Sequence, residues 1–233
     1  MDISASVALV TGANRGLGRH FALELLARGA KVYAAARNPD SVDVDGAIPL
    51  AVDVTDPAAV ADAAQRAGDV TLLVNNAGIA ADVNLLTGDL DGARREMETN
   101  YFGTLSMVRA FAPVIEANGG GGILNVLSVL SWVSSPDHSG YCASKSAAWS
   151  MTNAVRLQLA ERGIVVTALH VGLMDTDMGA IFDAPKSDPA VVAALAVDAV
   201  TAGDYEVLAD DTSRGVRAGF AGGVEALYPQ LAK

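Results

Sequence analysis

Tyr141 and Lys145 stand four residues apart in Tyr141-Cys142-Ala143-Ser144-Lys145, inside a run of helix-compatible residues that continues to Arg162. On a helix, residues with that spacing lie on one face, one turn above each other. A free phenol titrates near about pH 10, too high for proton exchange at neutral pH. An ammonium held beside it favours the phenolate and draws that value down. A tyrosine so tuned serves as a general acid or base. The same spacing also arises on ordinary solvated helix faces, so its meaning depends on the rest of the chain.

The elements that would position this pair can be read in order. Val7 to Val10 is an apolar run that opens on Thr11-Gly12-Ala13-Asn14-Arg15-Gly16-Leu17-Gly18. A helical pattern from Arg19 to Arg28 follows, then a second apolar run from Lys31 to Ala36. Strand, glycine turn, helix and strand make a βαβ unit, in which glycines let the backbone approach a pyrophosphate at a helix N-terminus. The glycine spacing is Gly-x-x-x-Gly-x-Gly, which differs from the Gly-x-Gly-x-x-Gly dinucleotide fingerprint.

Further strands are expected over Ala47–Val52, Thr71–Val74, Ile123–Leu127, Val165–His170 and Glu206–Ala209, seven in all. Helices are expected over Pro57–Ala67, with Thr55 or Asp56 as N-cap, over Leu90–Asn118, and over Tyr141–Arg162. Two more follow, over Pro189–Ala202 and at the C-terminus. Gly119 to Gly122 reads as a flexible turn. Asn100 falls inside the second of these helices, where asparagine is a poor helix former. Ser128 stands at the end of the fifth strand, and ligands of parallel sheets bind outside the carboxyl ends of the strands. Ser131, Ser134 and Ser135 are close by, so position alone sets Ser128 apart.

The end of the second strand bears on which dinucleotide is bound. A carboxylate there would bind a ribose 2′-hydroxyl, whereas a 2′-phosphate wants an arginine. Here Ala36 is followed by Arg37, and Arg15 in the glycine turn is a second cation. Two arginines and no carboxylate favour NADP(H) over NAD(H). The plain alternative is that both are solvated surface residues.

Glycine turn, Asn75-Asn76-Ala77-Gly78, Asn100, Ser128 and Tyr-x-x-x-Lys occur in one order on one βα ladder. From Val7 to about Ala209 the chain resembles the short-chain dehydrogenase/reductase family, in its short branch. The resemblance implies a Rossmann-type doubly wound α/β fold: a seven-stranded parallel sheet, helices on both faces, and one domain over 1–233. Residues to about 127 would serve the cofactor, and 128–233 the chemistry and substrate.

It also implies roles. Tyr141 resembles the catalytic acid/base, and Lys145 the residue that binds the nicotinamide ribose and lowers the tyrosine pKa. Ser128 resembles the substrate-orienting serine, and Asn100 the asparagine that anchors a water in a proton relay. Gly12, Asn14, Arg15, Gly16, Leu17 and Gly18 would hold the pyrophosphate side. Arg37, Asp53 and Val54 would meet the adenosine, and Asn76, Ala77 and Gly78 its neighbourhood. Tyr141, Lys145, Gly172 and Thr176 would face the nicotinamide end. Leu127 replaces a common serine, and Val171 a common proline, which leaves the nicotinamide-side loop less stiffened.

The expected activity is NADP(H)-dependent carbonyl reduction or secondary-alcohol oxidation. The rivals are a non-catalytic NAD(P)-binding regulator and an NAD-preferring dehydrogenase. Pocket candidates are the mostly apolar Leu130, Trp132, Val133, His138 and Trp149, then Leu173, Met178, Ile181 and Phe182; each is equally a core residue. Lys186 alone among Asp183 and Asp188 gives acidic substrates no clamp. The long helices suggest a homodimer or homotetramer.

Bulk properties agree. The 233 residues carry a net charge of −11 and 51% hydrophobic residues. That charge argues against nucleic acid or an anionic membrane surface as a partner. One cysteine, Cys142, excludes an internal disulfide framework and a cysteine metal cluster, and suits a cytoplasmic protein. The N-terminal residues are too few and too polar for a signal peptide. No apolar run nears the roughly 18 residues of a membrane helix.

Overall fold

A computed structural model describes residues 1–81 and 83–231; Asp82, in the expected Ile79–Gly88 loop, and the last two residues of the expected domain lie outside them. Along the chain run β1 (Val7–Thr11), α1 (Gly16–Ala27), β2 (Lys31–Ala36), β3 (Ile48–Ala51), α2 (Pro57–Arg66) and β4 (Leu72–Asn75). Next come α3 (Leu90–Met97), α4 (Thr104–Ala117), β5 (Gly121–Val126), α5 (Ser139–Leu159) and β6 (Ile164–His170). The series ends with α6 (Pro189–Ala202), β7 (Glu206–Leu208), α7 (Asp211–Gly219) and α8 (Gly223–Leu227).

Among the described residues the seven strands form one sheet in the order β3-β2-β1-β4-β5-β6-β7. Every pairing is parallel. A parallel sheet needs helices on both faces, and its central strands then bury both sides. Ala8, Leu9, Val10, Leu72, Leu73 and Val74 are accordingly buried almost completely. One face packs on α1 and α6 around Phe21 and Leu25. The other packs on α2, α4 and α5 around Met107, Phe111 and Ile115. The order reverses between β1 and β4, which opens a crevice at the carboxyl ends.

Several expected bounds shift for physical reasons. Asp56 caps α2, its Oδ1 accepting the Ala58 N–H at 2.9 Å. Strand β5 begins inside the expected glycine turn, because Gly121 and Gly122 pair with Gly163 and Thr71. A Cβ on Gly121 would overlap the Thr71 carbonyl oxygen, so glycine is what permits that pairing. The expected Leu90–Asn118 helix is continuous but holds a π-helical segment, Glu98–Gly103, between α3 and α4. Such segments re-aim side chains and recur at functional sites. The expected C-terminal helix is broken at Phe220–Gly222 into α7 and α8.

A buried polar chain ties α5 to the sheet centre. Asn75 Nδ2 donates to Asn125 Oδ1 at 2.8 Å, and Asn125 Nδ2 donates to Thr152 Oγ1 at 2.9 Å. Thr152 passes the chain on to the Ala148 carbonyl at 2.7 Å. Removing the middle member strands buried groups on both sides. Asn125→Ala should therefore lower unfolding free energy by about 1–3 kcal/mol, read from the urea midpoint; an unchanged midpoint refutes the role.

Candidate active site

Strand β1 ends in the glycine turn, and Asn76, just past β4, pins it. Asn76 Nδ2 donates to the Thr11 carbonyl at 2.9 Å and to the Gly12 carbonyl at 3.3 Å. Thr11 Oγ1 accepts the N–H groups of Asn76 and Ala77 at 2.9 and 3.0 Å. Gly12 and Gly16 hold φ of 64° and 52°. A Cβ on Gly18 would overlap the Gly12 carbonyl oxygen and the Asn76 amide. This close approach leaves a cradle of bare backbone.

Helix α1 starts in that cradle with no side-chain cap and no acid in its first turn. By contrast α2, α3, α6 and α7 are each capped by an aspartate. The first amides of a helix have no partner within it and attract anions. An uncapped start beside bare glycine backbone therefore fits a pyrophosphate. Leu17, the turn's one large apolar side chain, is buried beneath it, and Asn14 is half-buried.

Arg37 is exposed just past β2. Asp53 accepts from Thr55 N and Thr55 Oγ1 at 3.0 and 2.7 Å. Those bonds hold its carboxyl below the usual range against the cost of burial, with a smaller pull from Arg37. Val54 is buried and packs on Gly103 of the π segment. Arg15 is exposed and pairs with Asp177 at 3.3 Å. Thr176 lies over the glycine turn, its Cγ2 3.5 Å from where a Gly16 Cβ would stand.

Gly172, which the family resemblance would place at the nicotinamide end, commits its N–H to Asp210 Oδ2 at 2.6 Å. That bond, with Ser187 N to the Leu173 carbonyl at 2.8 Å and Asp175 N to the Ser187 carbonyl at 3.0 Å, fixes the loop after β6. These bonds hold the loop where the turn lacks a proline.

On the opposite side of the crevice, the start of α5 carries Tyr141 and Lys145 on one face. Lys145 Nζ lies 5.7 Å from the Tyr141 ring centre and donates to the Val126 carbonyl at the end of β5 at 2.9 Å. Burial alone lowers the ammonium to about 8. Tyr141 retains some exposed surface but is ringed by protein atoms, and lost hydration pushes its phenol up to about 12. A hydrogen bond with the Ser128 side chain acts against that rise, while Cys142 and Glu96 add to it. In this geometry the ammonium is turned to the Val126 carbonyl, and Ser128 is the side chain that opposes the rise.

Ser128 caps a short turn, Val129–Ser131. Its Oγ accepts the Leu130 N–H at 3.1 Å, and Ser131 Oγ accepts the Ser128 N–H at 3.2 Å. Asn100, 1% exposed, sits in the π segment with both ends of its amide in use. Its Nδ2 donates to the Ile79 carbonyl and to Ser144 Oγ, both at 2.9 Å, and its Oδ1 accepts the Ile79 N–H at 2.9 Å. Asn100 and Lys145 meet beside Gly78, whose Cβ would lie 3.0 Å from Asn100 Oδ1 and 3.7 Å from Lys145 Nζ, while Lys145 and Ser128 both neighbour Tyr141.

Three residues in this region went unmarked in the sequence. Buried Glu96 accepts the Ala81 N–H at 2.7 Å, and its spacing of four from Asn100 was a legible signal. Ser144 bridges Asn100 to α5. His170, wholly buried at the end of β6, reaches the Ser128 carbonyl from Nδ1 at 3.2 Å. Among the pocket candidates, His138 and Phe182 meet edge-on at 5.3 Å, while Trp132 packs against Trp149 and His170.

A doubly wound parallel sheet with an open glycine cradle and a polar cluster at its carboxyl edge is a Rossmann-type nucleotide-binding architecture. Residues 6–186 match the family model described as short chain dehydrogenase, and the chain belongs to the short-chain dehydrogenase/reductase family. It is thereby an oxidoreductase between CH–OH and C=O groups with a nicotinamide cofactor. The 3-oxoacyl-(acyl-carrier-protein) reductase FabG of Escherichia coli is 33% identical over 189 residues, 76% of this chain and 77% of that protein. Dehydrogenase/reductase SDR family member 7B of Bos taurus is 31% identical over 192 residues, and the match spans 74% of this chain but only 59% of that relative.

Among solved structures, a short chain dehydrogenase from Burkholderia cenocepacia in complex with NADP superposes with a TM-score of 0.95, at 40% identity over all of both chains. A 3-ketoacyl-(acyl-carrier-protein) reductase from Brucella melitensis complexed with NADH gives 0.82 at 28% identity, over 88% of this chain and 96% of that one. No described helix is long and apolar enough to cross a membrane.

The buried ammonium has a stability consequence. Lys145 falls from 10.5 to about 8 on folding, so below about pH 8 it is charged in both states and the full burial cost is present. Between about 8 and 10.5 the unfolded chain holds more protons, so stability rises with pH. Lys145→Met should melt above the native protein at pH 7, by an amount on the order of 3 kcal/mol. The gap should close as pH climbs towards 10.5. A gap that does not change with pH refutes the assignment.

Proposed function

We propose that the chain is an NADPH-dependent carbonyl reductase, run in reverse as a secondary-alcohol dehydrogenase. The carrying observation is the hydrogen bond between the Ser128 and Tyr141 side chains at the carboxyl edge of the sheet. Residues to about 127 bind the cofactor, and 128–233 supply the acid, the orienting hydroxyl and the substrate walls. Gly12 to Gly18 and the first amides of α1 hold the pyrophosphate. Arg37 and Arg15 bind the 2′-phosphate, with no carboxylate at the end of β2 to repel it. Similarity to a dehydrogenase solved with NADP supports that preference, although another relative was solved with NADH. Lys145 and Tyr141 bind the ribose next to the nicotinamide, with Gly172 and Thr176 on its other side.

When bound, the nicotinamide supplies or accepts hydride at the carbonyl carbon. Ser128 donates a hydrogen bond to the carbonyl oxygen and holds it beside the Tyr141 hydroxyl. Tyr141, protonated at neutral pH, passes its proton to that oxygen as it gains charge. The phenolate left behind is stabilised by the nearby Lys145 ammonium. Asn100, which ties the Ile79 segment to α5, supports the relay that returns a proton to Tyr141 from solvent. Substrates are ketones, aldehydes or secondary alcohols without a required negative charge.

A shallow groove of about 390 Å³ on the outer face of α4 and α5 is lined by Leu105, Met151 and Val155, among others. With Phe102 and Leu157 exposed beside the same helices, it supports a homodimer or homotetramer. The single buried thiol supports a cytoplasmic setting.

Tyr141→Phe should lower kcat for ketone reduction by about 10²–10⁴-fold while NADPH binding is kept; full turnover in that variant removes the assignment. Replacing Arg15 and Arg37 by alanine should raise KM for NADPH and leave KM for NADH unchanged. A native enzyme whose kcat/KM favours NADH overturns the cofactor reading. The substrate class is tested by NADPH oxidation against ketones, aldehydes and enoyl thioesters, with turnover of the last alone refuting it.

A further inference from the structure

His170 takes no part in the proposed chemistry, yet it is wholly buried directly behind Ser128. Backbone bonds from Leu127 N to the Leu169 carbonyl and from Val129 N to the Val171 carbonyl prolong the β5–β6 pairing past the end of β5. Between them, the Ser128 carbonyl faces His170 Nδ1 at 3.2 Å. A carbonyl only accepts, so Nδ1 carries the proton and Nε2 the lone pair. The imidazole is clamped flat on Trp132, with ring centres 3.7 Å apart and planes 20° apart.

Trp132 closes the same turn that Ser128 caps, and Arg217 of α7 lies 5.7 Å over its ring. Arg217 also approaches Glu206 at 3.7 Å, which balances the carboxylate 3.9 Å from His170 Nε2. Burial, with Arg217, Arg156 and Lys145 around it, lowers the imidazole to about 4, so it stays neutral. One side chain therefore grips both ends of the Ser128–Trp132 turn: its first carbonyl by a hydrogen bond and its last ring by stacking.

We propose that His170 is a positioning residue for the reduction: its Nδ1–H fixes the Ser128 carbonyl and thereby the angle at which the Ser128 hydroxyl meets the substrate oxygen. This rests on the reading of Ser128 as the orienting hydroxyl. The hydrogen bond is the active element, and the stack on Trp132 only aims it. An asparagine amide can reach the place of Nδ1, whereas phenylalanine keeps the stack and loses the donor.

The test uses the full-length enzyme with NADPH and whichever carbonyl compound of the panel is turned over fastest. His170→Phe should lower kcat about 10²-fold through the misplaced hydroxyl, with KM for NADPH within about twofold. His170→Asn should recover most of kcat, and His170→Gln, whose amide extends towards the place of Nε2, should not. In a Ser128→Ala background His170→Phe should cost little more, because the group it aims is gone. Native kcat in His170→Phe, equal impairment of Asn and Gln, or a full His170→Phe loss on top of Ser128→Ala each overturns the proposal. Should His170→Phe fail to bind NADPH, the Asn and Gln pair decides. Undiminished activity in Ser128→Ala alone defeats the reading of Ser128 instead.

Discussion

The site depends on the seating of α5 against the carboxyl end of β5. Four polar contacts fix it along the first two thirds of the helix. Lys145 reaches the Val126 carbonyl, Ser146 the Ser131 carbonyl, Ser144 accepts from Asn100, and Thr152 accepts from Asn125. Apolar packing alone would let a helix slide or roll on a sheet, since the hydrophobic effect has no direction. Buried hydrogen bonds do not allow that, because each misplacement leaves a polar group without a partner in a low-dielectric interior. The same contacts make the position of Tyr141 a property of the whole sheet.

The buried ammonium shows the cost of that arrangement. Burial lowers Lys145 to about 8 and raises Tyr141 to about 12, so the two groups are driven away from their charged forms together. A protein optimised for stability would place an apolar side chain at Lys145. Keeping a cation there makes sense where an anionic or hydroxyl-rich ligand arrives beside it, which is the common trade between stability and function. The uncapped start of α1 follows the same logic on the other side of the crevice: the aspartate that would cap it would repel a phosphate.

Between these two sides, the loop after β6 joins the halves. It is anchored by Asp210 at Gly172, rests on the glycine turn at Thr176, and pairs Asp177 with Arg15. An ion pair this exposed contributes little to stability. Its interest is geometric, because it brings a carboxylate to a cation of the glycine turn. The loop is further held by backbone bonds between Ser187 and both Leu173 and Asp175, with no proline in the turn.

The sequence by itself determined the architecture and supplied the candidate residues of the site. Apolar runs alternating with helical patterns and glycine punctuation led to seven parallel strands, and the spacing of Tyr141 and Lys145 put both on one helix face. Such signals are local, since they follow from backbone conformation and periodicity within a few residues. The tertiary structure decided what those residues touch. That Asn100 sits in a π-helical segment and spends its amide on Ile79 and Ser144 could not be read locally, because the partners lie twenty-one and forty-four residues away. Nor could the turn of Lys145 towards Val126, the rise of the Tyr141 phenol, or the presence of His170 behind Ser128. Each is set by burial and by neighbours from distant strands, and desolvation is a property of the assembled interior.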